Sequence, residues 1–224
     1  MRKWRCLWRP YLDEEHASKR LQWAYRYREF TPTDWARVFW SDECTVERGI
    51  GIQREWTFIR PRDQPRMNHC QGLPHRGLIP LFGDPISERG GVNRFVIEEL
   101  YRRVLPTLLS TEDGIFMHDN APTHTARVVR EALDDMQIEV MIWPPHSPDL
   151  NPIENLWALL KAEIYKLRPD LMHMKNNEDT KQILVDTAQI AWENIDMEHL
   201  QHLSGTMPNR VQAIIDSNGW YTPY

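Results

Sequence analysis

Cysteine is scarce: Cys6, Cys44 and Cys70 are the only three in 224 residues, and no CxxC spacing occurs among them. An odd, unpatterned set excludes a disulfide framework that uses all three and points to a reducing compartment. Long apolar runs are missing too; none approaches the roughly 18 residues that a membrane-spanning helix needs. The basic start, MRKWRCLWRP, is not followed by an apolar stretch and does not read as a secretory signal. No glycine-rich phosphate loop, GxSxG elbow or paired Cys/His nucleophile is present. No repeat or low-complexity tract interrupts the chain. Excess positive charge is also lacking. The formal net charge is −5, which argues against a whole surface built to wrap nucleic acid. Residues 1–30 nevertheless hold eight Lys/Arg against four Asp/Glu, a local +4 that leaves −9 for the rest. That lead-in is either a solvated helix face or a phosphate contact.

What is present is a core. Hydrophobic residues make up 41% and aromatics 10%, with ten Trp, enough for one packed domain. Residues 13–29 read as a helix with Leu21, Ala24 and Tyr25 on one face, and Thr31-Pro32-Thr33-Asp34 as a capped turn. Residues 36–43 form a strand that ends on a carboxylate. Gly49–Gly51 reads as a hairpin turn, and Ile52–Ile59 as its partner strand. Residues 60–76, rich in Pro, Arg and His, read as a loop. Strands over 78–82, 115–117 and 138–143 alternate with helices over 92–109, 125–136 and 152–167. Helices near 182–194 and 209–217 follow, the last ending at Gly219 as a C-cap. Strands interleaved with helices predict an α/β fold, and the early hairpin makes its sheet mixed. The expected division is a linker-like helical segment over 1–35, a catalytic core over 36–167 and a helical extension over 168–224.

Three acidic residues carry the chemistry of interest. Asp42 lies in Phe-Trp-Ser-Asp-Glu, Asp119 in HDNAPTHTA, and Glu154 in WPPHSPDLNPIENLW; 34 residues separate the last two. Carboxylates brought together repel, and a divalent cation resolves the repulsion. Magnesium takes one or two carboxylates and keeps positions for water and phosphate. Two such ions about 4 Å apart serve in-line phosphoryl displacement. Each residue also has a purely structural reading. Asp42 and Asp119 suit turns, and Glu154 falls at N3 behind Asn151 and Pro152, completing a capping box. Residue types and spacing alone leave both readings open. His118 and His124 lack a third partner at zinc spacing and fit better as groups that orient Asp119. Trp143 and Trp157 fit the core better than a base-stacking platform.

Taken together, Trp40-Ser41-Asp42-Glu43, His118-Asp119-Asn120-Ala121-Pro122 with His124, and Trp143-Pro144-Pro145 through Trp157 resemble the DDE transposases of the mariner-like superfamily, fungal-type copies above all. Ala191–Ile195 and Gly219-Trp220-Tyr221 fit the same pattern, so the likeness runs from about Pro10 to the end. The resemblance implies an RNase H-like fold, with a mixed five-stranded sheet flanked by helices. It implies two Mg2+ ions, with Mn2+ as a substitute: Asp42 bridging both, Asp119 and Glu154 each completing one. It further implies hydrolysis of DNA and strand transfer of transposon ends into target DNA, with DNA and a second copy of the chain as partners, no membrane, and a nuclear location. Two departures are expected to matter. The family's N-terminal helix-turn-helix domains are missing, and a central strand of the form V-W-G has no counterpart in 67–75. With only 76 residues between Asp42 and Asp119, the sheet is expected to have that strand missing or cut short. An alternative is therefore a catalytically silent relic acting as a DNA-binding or dimerisation module; a further one is an RNase H-like nuclease acting on RNA–DNA hybrids.

Overall fold

Alternation along two adjacent strands sets the architecture. In Val38–Thr45 (β1), Val38 and Trp40 enter one hydrophobic core while Phe39 enters another; in Ile115–Met117 (β4), Ile115 and Met117 join the first and Phe116 the second. The strands pair in parallel with Val38 opposite Ile115 and Trp40 opposite Met117, so the two alternations are in phase. The computed structural model describes residues 10–46, 66–71, 76–84, 86–87, 91–109 and 114–224. Among them, Arg66–Gln71 (β2), Arg76–Leu81 (β3) and Glu139–Val140 (β5) complete a sheet of order β3-β2-β1-β4-β5. β2 pairs antiparallel with β1 and with β3; β4 and β5 add in parallel.

This corrects two expectations. The stretch read as a loop, 60–76, holds β2, which pairs six residues with β1 and six with β3. The sheet therefore has five strands, and the strand expected to be missing or cut short is in place. The segment RMNHCQ has few β-branched residues and looked irregular beside Pro65 and Pro74. A strand enclosed on both edges is held by backbone amides, however, which any residue but proline supplies. The hairpin turn expected at 49–51 and the strand expected over 52–59 lie outside the described residues. β5 is shorter than the 138–143 expected, and Met141 carries on by donating its amide to Phe116 O at 2.8 Å.

Helices cover both faces. Glu14–Tyr27 (α1), Pro32–Trp35 (α2), Ile153–Leu167 (α5), Glu178–Glu193 (α6), Met197–Gly205 (α7) and Met207–Asp216 (α8) build the first core, and Arg94–Leu108 (α3) and Arg127–Asp135 (α4) the second. The first core draws on all three expected segments. α1 opens on a capping box, with Asp13 accepting from the His16 amide at 2.8 Å, and buries Ala17, Arg20, Trp23, Ala24 and Tyr27. That is not the face expected; Tyr25 is exposed, because the buried stripe runs through an arginine that a hydropathy count treats as polar. Trp23, Tyr27, Phe30, Trp35, Trp40 and Trp143 pack ring on ring at 4.9–6.1 Å and join α1 and α2 to the sheet. Such pairs contribute about 0.5–1.5 kcal/mol each beyond area burial.

Arg20 has 0% side-chain exposure and a full set of acceptors. Its fork meets both Asp149 oxygens at 2.8 and 2.6 Å, and it also donates to Ser147 Oγ, His146 O and Gly219 O. Thr222 Oγ1 donates to Asp149 at 2.8 Å, and Arg210 donates to Asp149 O and Asn155 Oδ1. The loop 143–152 is thus clamped from α1, α8 and the residues after α8. Burial alone would raise the Asp149 carboxyl, but Arg20 and Thr222 hold it below 3.8. A depressed carboxylate contributes stability that is complete above its unfolded value and is lost as pH falls through the lower folded value. Asp149→Asn is therefore expected to cost about 3 kcal/mol near pH 7. In urea titrations that difference should shrink steadily below about pH 4; a constant difference down to pH 2 would rule out the ion pair as its source.

Candidate active site

In-phase alternation also places the acidic residues. Two positions beyond the Trp40–Met117 pair, β1 carries Asp42 and the chain leaving β4 carries Asp119, both in the frame of the first core. Ser41 Oγ donates to Met117 O at 2.9 Å and ties the two strand ends together. α5 packs on this same face through Ile153, Leu156, Trp157, Leu160 and Ile164, the stripe its sequence spacing predicts. Its first turn presents Glu154. One strand, one strand end and one helix start therefore bring the three predicted residues to the same edge of the sheet.

Asp42 is held by three donors. The Glu43 amide donates to Oδ1 at 2.8 Å, and Asn151 Nδ2 and Trp157 Nε1 reach Oδ2 at 3.3 and 3.2 Å. Desolvation, with the charges of Glu154 and Glu43, nevertheless pushes its carboxyl up to about 8. Sequence reasoning missed both side-chain donors. Trp157 sits on a clean apolar stripe that hides its N–H, and Asn151 was read as an N-cap. The carboxamide does both: its oxygen accepts from the Ile153 amide at 3.3 Å, as a cap does, while its nitrogen serves Asp42. The expected capping box is not completed, since the Asn151 amide donates to Pro148 O rather than to Glu154. Glu154 is left facing its neighbours. Burial raises it most, Lys161 opposes that, and Asp119 raises it further.

Asp119 keeps its turn. Its Oδ1 accepts from the Ala121 amide at 2.8 Å, and the side chain is 50% exposed. Asn120 Nδ2 donates to Trp143 O at 2.8 Å, fixing this turn to the clamped loop. His118 Nδ1 lies 2.6 Å from Asp119 O, and burial lowers its pKa. His124 is also buried, which alone would lower it, but Glu43 and the aspartates raise it overall. Neither ring nitrogen of His124 is open to zinc, as Tyr101 and Glu43 occupy both.

Among the described residues no three His, Cys, Asp or Glu side chains close into a metal-holding group. Like charges hold the carboxylates apart, and a cation is what would offset that repulsion. The donor set itself fits a hard divalent ion. It is all oxygen, part buried and part open, and the buried member bears an uncompensated desolvation cost. Such a set can bind a divalent cation and orient an oxyanion beside it.

Similarity to known proteins follows the same residues. A family model described as DDE superfamily endonuclease matches residues 85–172. The Tc1 transposase of Caenorhabditis elegans is 28% identical over 96% of this chain and 81% of its own length. The mariner Mos1 transposase of Drosophila mauritiana is 55% identical over 25% of this chain and 16% of its own length. Among solved structures, the Mos1 catalytic domain with raltegravir and Mg aligns with TM-score 0.61 at 20% identity, covering 95% of this chain and 99% of that one. The Mos1 strand transfer complex aligns with TM-score 0.64 at 20% identity, covering 99% and 67%. These structures bear out the RNase H-like arrangement of a mixed sheet between helices.

Proposed function

We propose that this chain, similar to the Tc1 and mariner transposases and matched over residues 85–172 by a DDE superfamily endonuclease model, cleaves DNA phosphodiesters and transfers the freed strand, with Asp42, Asp119 and Glu154 as its catalytic carboxylates. The observation that carries the reading is their convergence from β1, the end of β4 and the start of α5 onto one edge of the sheet. These three would hold Mg2+, or Mn2+ in its place, as two ions with Asp42 shared. Solved Mos1 catalytic domains with Mg and with Mn support that requirement. Bound there, the metal supplies an activated water or 3′-hydroxyl nucleophile and offsets charge on the leaving oxygen.

The chain's own groups do the positioning. Asn151 and Trp157 hold one oxygen of Asp42, and the Glu43 amide holds the other, so the carboxylate cannot swing into solvent. Glu154 rides on a helix whose apolar stripe fixes its rotation. Ala121 N–H keeps one Asp119 oxygen and leaves the second for ligation. Solved Mos1 assemblies, a paired-end complex with left transposon end and a pre-cleavage transpososome, support transposon-end DNA as substrate and a homodimer as the working unit, and similarity to transposases of Caenorhabditis elegans and Drosophila mauritiana supports the nucleus as its location.

The test is a nicking and strand-transfer assay on duplex DNA with Mg2+ or Mn2+, comparing the chain with Asp119→Ala. Product from the wild type alone is expected. Equal product from both, or product only from RNA–DNA hybrids, would sink this reading.

A further inference from the structure

The opposite face of the sheet holds a second buried polar group, and the reaction as derived above leaves it unused. β1 alternation turns Glu43 away from Asp42; Tyr101 comes from the middle of α3, and His118 and His124 from either side of the Asp119 turn. His124 is 3% exposed, and its ring stacks on Tyr101 at 6.0 Å and on His118 at 5.4 Å. Its Nδ1 lies 2.7 Å from the Tyr101 hydroxyl and its Nε2 3.2 Å from Glu43 Oε2. A carboxylate offers only lone pairs, so Nε2 carries a hydrogen whether the ring is neutral or charged. That N–H faces a second acid, Asp119 Oδ1, at 3.7 Å.

We propose that Glu43, His124 and Tyr101 form a positioning chain for Asp119, resting on the reading of Asp119 as a metal ligand. Asp119 stands past the end of its strand and is half exposed, and among the described residues its carboxylate accepts one hydrogen bond, from Ala121 N. The His124 N–H adds a second restraint on the same oxygen and leaves the other to the cation. Tyr101 and Glu43 fix the ring from opposite ends, so the restraint is anchored in α3 and β1 rather than in the turn itself. Groups that orient a ligating side chain in this way are worth about 10- to 100-fold in metal affinity.

The experiment is Mn2+ binding to the whole chain without DNA, followed by the electron paramagnetic resonance signal of free Mn2+, with thermal midpoints recorded in parallel. His124→Phe keeps an aromatic ring for stacking and loses both nitrogens. It is expected to weaken binding about 10- to 100-fold. His124→Gln restores an N–H at the Nε2 end and should recover most of that loss, a rescue that a purely packing role does not produce. Tyr101→Phe should weaken binding in the same direction by a smaller factor, and it decides the matter where His124→Phe does not fold. Wild-type affinity in His124→Phe or in Tyr101→Phe, or a glutamine no better than phenylalanine, overturns the proposal. Asp119→Ala separates the two failures. If it binds Mn2+ like the wild type, Asp119 is not a ligand and the functional reading falls with the inference. If it loses the metal while His124→Phe does not, only the positioning chain falls.

Discussion

Asp42→Asn is expected to abolish DNA cleavage and, without metal, to remove a pH dependence from the stability of the fold. On the proposed role of Asp42 as a metal ligand, its loss forfeits several kcal/mol of transition-state charge stabilisation, a drop of about 10^3-fold or more in rate. Stability moves the other way. The folded Asp42 holds its proton up to about pH 8 while the unfolded one releases it near 3.8. Between those values the folded state binds more protons, so the metal-free wild type weakens as pH rises and levels off above about 8. Asparagine removes that slope at a cost of about 1 kcal/mol, because its NH2 must face either the Glu43 amide or the donors at Oδ2. The two proteins should be about equally stable near pH 5, with the variant ahead by about 4 kcal/mol near pH 8. Urea unfolding in chelator across that range is the measurement. Parallel pH profiles would show that burial of this carboxylate is not costly, and saturating Mg2+ should stabilise the wild type alone.

Gly219→Ala is expected to be the most damaging small substitution for folding. α8 ends in a Schellman arrangement, with the Gly219 amide on Ile214 O at 2.8 Å and Asn218 on Ile215 O at 3.0 Å. The left-handed position at the helix end belongs to Asn218 at φ 51, while Gly219 follows at φ 85. The sequence reading of Gly219 as a C-cap was close, but the stronger demand on this residue is space. A Cβ here would sit 1.9 Å from Ala17 O and 2.7 Å from Ala17 C, which are backbone atoms of α1 that no rotamer change removes. Relief requires α1 and α8 to part, which also strands Arg20, whose Nε uses Gly219 O. A loss of about 4 kcal/mol or more is expected, enough to unfold many domains of this size. A thermal midpoint within a few degrees of the wild type would show that the helices separate cheaply.

Sequence pattern revealed what periodicity can carry. The α5 stripe and the short apolar β4 needed no structure, and the acid read at the end of the first strand does lie on β1, though inside it, since the strand runs on to Thr45. Motif resemblance supplied what spacing left open, namely the proposal that a turn aspartate and an apparent helix cap belong to one site. Three things stayed hidden for physical reasons. β2 is held by backbone pairing on both sides, so its side chains need not announce it. Arg20 occupies a core position, and no hydropathy count anticipates a buried guanidinium satisfied by six acceptors. Asn151 and Trp157 point their donors at Asp42 across 109 and 115 residues of chain. Local spacing holds no record of such long-range bonds.

The clamp on loop 143–152 has a consequence in time. Arg20 reaches its partners in that loop over 126, 127 and 129 residues, and Gly219 over 199. Contacts that close such long stretches of chain form late, after local helices and hairpins. Asn151, which steadies Asp42, lies in the loop that those contacts secure. During synthesis the residues around Gly219 follow those of the sheet, and until they dock the carboxylates have a sheet beneath them but no fixed orientation. A chain built this way fixes the orientation of its carboxylates only after that late docking.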